Sequence, residues 1–134
     1  MMNKLLLFSV FAWSVNAFAA EEFYEVSTAG TTTKLKAGES GKLVISISTK
    51  NGGHVSDKAP LKIELSSKES KFTKDKLSLT DSVAPKEADP KFEVGFTPAV
   101  QGPTTVEAKM TFFICSEQQC ARQTRTLSLP VEVM

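Results

Sequence analysis

Cysteine, histidine and tryptophan are scarce in this chain, with two, one and one among 134 residues. A zinc site needs four protein ligands, or three and a water. Cys115, Cys120 and His54 do not supply that set at their spacing. A Ser-His-Asp hydrolase would have to be built on His54, which follows Gly52-Gly53 in a turn and has no nucleophile elbow beside it. Net charge is also lacking: +1 overall, so no basic surface for nucleic acid is expected. Seven glycines and six prolines are too few for a collagenous or low-complexity chain. No glycine loop for phosphate is present, since Asn51-Gly52-Gly53 reads as a turn. Met110 reads as a core residue and gives no copper site. No metal and no cofactor is expected.

What is present begins with an address. Lys4 precedes the apolar run LLLFSVFAW, and Ala17-Phe18-Ala19 follows a few residues on. A basic start, a short apolar stretch and small residues at −3 and −1 form a secretory signal peptide. Residues 1–19 are therefore expected to be removed, leaving a domain over 20–134. The run is shorter than the roughly 20 residues of a membrane span, and no second one follows, so the mature chain has no expected span. Removal takes away Trp13 and Lys4 and leaves the charges balanced. The destination is oxidising, where a cysteine pair persists as a disulfide.

The mature chain alternates with period two, the mark of half-buried strands. Leu43, Ile45 and Ile47 form one apolar stripe, and Leu61, Ile63 and Leu65 a second. Leu77 and Leu79, then Phe92, Val94 and Phe96, continue the pattern. The longest stripe is Val106, Ala108, Met110, Phe112 and Ile114, followed by Leu127, Leu129, Val131 and Val133. Segments 23–28 and 31–36 are weaker strands. Turns are expected at 37–41, 51–53, 66–70, 84–90 and 101–103. No helical period runs for three turns. Short strands at this spacing predict an all-β, immunoglobulin-like antiparallel β-sandwich.

The chemistry concentrates in Cys115-Ser116-Glu117-Gln118-Gln119-Cys120. A four-residue loop between two strands places Cys115 opposite Cys120. The same register pairs Ala108 with Leu127 and Val106 with Leu129, inward positions chosen independently by alternation. Both cysteines then fall on the outward face with Phe113 and Arg122, at an exposed sheet end. Opposed Cβ atoms lie close to disulfide range, so the bond is feasible. Arg122 and Arg125 would favour a thiolate there and Glu117 would oppose it; no base is identifiable nearby. Two readings stay open: a redox-active pair, or a staple in a non-catalytic binding module.

Gly52-Gly53-His54-Val55, Ala59-Pro60-Leu61-Lys62-Ile63, and Gly102 ahead of the Cys115–Cys120 pair resemble the amino-terminal domain of the DsbD family of periplasmic thiol:disulfide interchange proteins. The likeness spans roughly 42–133. It implies a periplasmic immunoglobulin-like domain whose Cys115 and Cys120 cycle between dithiol and disulfide and exchange electrons with thioredoxin-like periplasmic or membrane partners. This chain departs from the family in three places. The gap is four residues where the family usually has five. Ala121-Arg122 follows the second cysteine in place of an aromatic and prolines. Segment 81–90 has no aromatic where the family carries an aromatic cap.

Overall fold

The computed structural model describes residues 19–85 and 88–134, so the leader reading on 1–18 lies outside the described residues. After a short 3₁₀ turn, Ala20–Phe23, the strands are β1 (Tyr24–Ser27), β2 (Lys34–Leu35), β3 (Gly41–Thr49), β4 (His54–Val55) and β5 (Lys62–Ser66). They continue as β6 (Ser70–Phe72), β7 (Lys76–Leu77), β8 (Lys91–Pro98), β9 (Gly102–Cys115) and β10 (Cys120–Val133). A second 3₁₀ turn, Leu79–Asp81, lies between β7 and β8.

The strands form the two sheets of an immunoglobulin-like β-sandwich. One sheet has the order β1-β3-β8-β6, the other β2-β10-β9-β5-β7, with β4 also on β9. Pairing is antiparallel except between β2 and β10, which run parallel. The apolar stripes explain the packing. Leu43, Ile45 and Ile47 of β3 and Phe92, Val94 and Phe96 of β8 share one core with Ile63, Leu65 and the even-numbered residues 106–114 of β9. Phe112, Ile114, Met110 and Ala108 are completely enclosed. Burying one such large side chain contributes about 1.5–3 kcal/mol relative to exposure.

The chain changes sheets three times between β1 and β4. Between β1 and β2, Thr31 lies along β3: its hydroxyl accepts from Val44 N at 2.9 Å and donates to Val44 O at 3.1 Å. That bond holds segment 30–31 along β3, with Gly30 close against the Val44 side chain, and Val44 is buried although its stripe faces outward. After β3, the Asn51-Gly52 turn carries the chain across to β4. Both residues have positive φ, 55° and 81°, and Gly53 N donates to Lys50 O at 2.9 Å. Asn-Gly suits this geometry because both tolerate the left-handed region.

Local details differ from the sequence expectations. The turn expected at 66–70 is present, but it leads into an unexpected strand, β6, whose Phe72 opposes Phe96 of β8. Leu79 does not extend a strand; it opens the 3₁₀ turn, where Ser78 N donates to the Asp81 carboxylate at 2.8 Å. Gly102 and Pro103 belong to β9 and not to the turn before it. Their alternation was masked by turn-forming residue types.

A disulfide at the tip of the long hairpin

Strands β9 and β10 pair along their whole length, and the register is the one that the four-residue loop predicts: Cys115 opposite Cys120, Ala108 opposite Leu127, Val106 opposite Leu129. Cys115 and Cys120 are bonded, with their Cα atoms 3.9 Å apart. The close approach has a backbone cause. Ser116 N donates to Gln119 O at 2.8 Å, so 116 and 119 form the hydrogen-bonded pair of the loop. The next pair inward is then a non-hydrogen-bonded one, where opposing strands come nearest. The loop holds itself as well: Ser116 Oγ accepts from Gln118 N at 3.2 Å and Gln119 N at 3.3 Å.

The two cysteines are not equally accessible. Cys120 is exposed, as expected at a sheet end, but Cys115 is only 4% exposed. The reason is β4, a two-residue strand that no periodicity marks. His54 and Val55 pair with Cys115 and Ile114 of β9, and Ser56 N donates to Phe113 O at 2.9 Å. Cys115 is thereby flanked on one side by His54 and on the other by its bonded partner. Directly opposed residues share a face, so His54, Cys115 and Cys120 form one row across three strands. His54 itself is exposed. It is the titratable neighbour that sequence reasoning did not find.

The two arginines separate. Arg122 lies on the outward face opposite Phe113, two residues from Cys120. Arg125 has the opposite parity and sits over the Tyr24 ring, 5.9 Å from its centroid. It therefore does not share the face of the disulfide. Phe113 and Arg122 border a shallow groove with Lys62, Glu64, Lys109 and Thr111 on the outer surface of β5, β9 and β10. In that groove the hydrogen bond from Lys62, aided by its charge, holds the Glu64 carboxyl below its ordinary range. Among the described residues no three His, Cys, Asp or Glu side chains converge as a metal site. No helix among them is long and apolar enough to cross a membrane.

The chain matches no protein-family model and no curated protein. Among solved structures it is similar to domains 4 and 5 of the S-layer protein SbsC, at 12% identity and a TM-score of 0.47 over 83% of this chain and 52% of that one. It therefore spans about half of that structure. A lipoprotein from Bacteroides thetaiotaomicron is similar at 16% identity and a TM-score of 0.49, over 81% of this chain and 78% of that one.

Proposed function

We propose that the chain is an exported, periplasmic β-sandwich that performs thiol–disulfide exchange through Cys115 and Cys120 with a thioredoxin-like dithiol partner. The reading combines the DsbD-family resemblance with one observation: the exposed Cys120 beside the buried Cys115. A partner thiolate attacks the accessible Cys120 sulfur. The Cys115–Cys120 bond breaks, and its electron pair leaves on Cys115 as a thiolate. The partner's second thiolate then attacks its own sulfur in the mixed disulfide and releases Cys120. Two electrons and two protons have passed: the partner is a disulfide, this chain a dithiol. In this reading His54, next in the row to Cys115, gives a proton to the departing thiolate and recovers it from solvent.

The alternative is a binding module with a structural disulfide. Loop 116–119 already carries its own hydrogen bonds and the hairpin is paired throughout, so a staple has little left to hold. The decisive experiment mixes the oxidised protein with a thioredoxin lacking its resolving cysteine. A mixed disulfide mapping to Cys120 is expected, with a reduction potential above about −300 mV. A lower potential and no covalent adduct would assign the bond to structure.

A further inference from the structure

The open edge of β10 points to a second property of the molecule. Strand β10 runs from Cys120 to Val133, yet β2 covers only Glu132 and Val133. From Cys120 to Pro130, among the described residues, β10 has a backbone neighbour on one side alone. The phase of the free groups follows from one bond: Glu132 N donates to Thr33 O, on the side away from β9. Every second residue repeats that direction. The N–H groups of Cys120, Arg122, Thr124, Thr126 and Ser128 therefore point outward, and all five residues are exposed. The Arg122 carbonyl receives the Gln123 side-chain amide at 2.9 Å. Pro130 falls on the same phase and has no N–H to offer, so it ends the open stretch. Nine residues of free edge span about 30 Å, room for a full strand.

Charge selects the occupant. Between Cys120 and Val131 the strand carries Arg122 and Arg125 and no acidic residue. A second copy of the same edge would bring basic strand against basic strand, and a lone proline and charges are ordinary guards against such self-pairing. Arg122 and Arg125 fall on opposite faces, so an extended segment with an acidic residue on each face meets the opposite condition. We propose that the β10 edge binds an acidic, extended segment of a partner protein by strand addition, with main-chain hydrogen bonds to 122–128 and its acidic side chains beside Arg122 and Arg125. The Cys120 end of that edge places the segment next to the exposed sulfur. The inference rests on backbone pairing and charge, and stands or falls separately from the exchange reaction.

The test uses the oxidised full domain and two synthetic nine-residue peptides, Thr-Val-Glu-Val-Thr-Glu-Val-Val-Thr, whose glutamates three apart fall on opposite faces, and the same sequence with lysine for glutamate, each capped at both ends. With the glutamate peptide at about 1 mM, amide exchange at Arg122, Thr124, Thr126 and Ser128 is expected to slow by about tenfold or more, while inward amides of β10 stay unchanged. The lysine peptide should bind about tenfold or more weakly. Thr126→Pro removes one outward donor without touching the β9 ladder, and should weaken binding by a similar factor while leaving the melting temperature near wild type. Equal binding of both peptides, no selective protection, or insensitivity to Thr126→Pro would overturn the proposal. So would dimerisation through this edge in sedimentation, since a second copy would then be the occupant.

Discussion

The Tyr24 hydroxyl donates to Gln123 Oε1 at 3.0 Å, joining β1 of one sheet to β10 of the other. The ring also stands edge-on to Phe112, with centroids 5.2 Å apart, beneath the Arg125 guanidinium. Tyr24 is 3% exposed, so its hydroxyl has no solvent to fall back on. Tyr24→Phe is expected to cost about 1 kcal/mol, and Tyr24→Ala about 3–5 kcal/mol. Urea unfolding of the two variants measures both. Equal costs would mean that the hydrogen bond, and not the ring, carries the junction.

Replacing both cysteines by serine should leave the sandwich folded. The bond closes a ring of six residues, worth about 2 kcal/mol in the chain-entropy model, whereas domains hold about 5–15 kcal/mol. The far-ultraviolet spectrum should be unchanged and the melting temperature lowered by several degrees. Collapse of the double variant would show the pair to be a necessary staple.

His54→Ala should make the dithiol less stable, because an imidazole beside a thiolate favours it. The equilibrium with dithiothreitol is expected to shift toward the disulfide by about threefold or more, which corresponds to roughly 15 mV. His54→Gln should behave like alanine, since its amide cannot carry the proton. If glutamine preserves the wild-type equilibrium, His54 acts by shape alone.

Gly53 sets the position of that histidine. A Cβ there would lie 2.6 Å from Phe23 Cβ and 2.9 Å from the Phe23 carbonyl oxygen. The backbone oxygen cannot swing away as a flexible side chain could. Gly53→Ala is therefore expected to destabilise by about 1–3 kcal/mol and to increase the reactivity of Cys115 in a Cys120→Ser background, because β4 no longer covers it. Thermal unfolding and alkylation rate are the two readouts.

Asp81 gives a pH dependence with a definite sign. The Lys74 hydrogen bond, 2.6 Å long, and the Ser78 N–H hold its carboxyl below the ordinary range. A group lowered in the folded state contributes stability above its unfolded value, about pH 4, and loses it as pH falls through the folded value. Asp81→Asn should thus destabilise at neutral pH and converge with wild type in acid. Melting temperatures compared from about pH 7 to pH 2 trace the difference.

The hairpin was legible because its information is local. Alternation on β9 and β10, together with the loop length, leaves a single register, and one slip would send every apolar residue to solvent. His54 was not legible as a neighbour of Cys115. Its strand has two residues, too short for any period, and it is delivered by the Asn51-Gly52 turn to a strand far along the sequence. Cys115 looks open only when β4 is left out. Arg125 is close to the cysteine pair in sequence, but strand parity puts it on the other face from Arg122. Val44 belongs to the outward stripe and is buried where segment 30–31 runs along β3, a contact that alternation within a strand does not encode.

The central place of β9 orders the assembly of a chain supplied from its amino end. All four strands of the β1-β3-β8-β6 sheet lie before residue 99, so their partners arrive early. The opposite sheet has no such sequence. Among the described residues, β4 pairs only with β9, β2 only with β10, and β5 otherwise only with the two-residue β7. These segments wait, together with the inner face of the first sheet, until 102–133 arrive and zip as one local hairpin. The core is therefore expected to close only once the β9–β10 hairpin is present, and a chain cut before residue 102 is expected to leave the inner face of the first sheet uncovered.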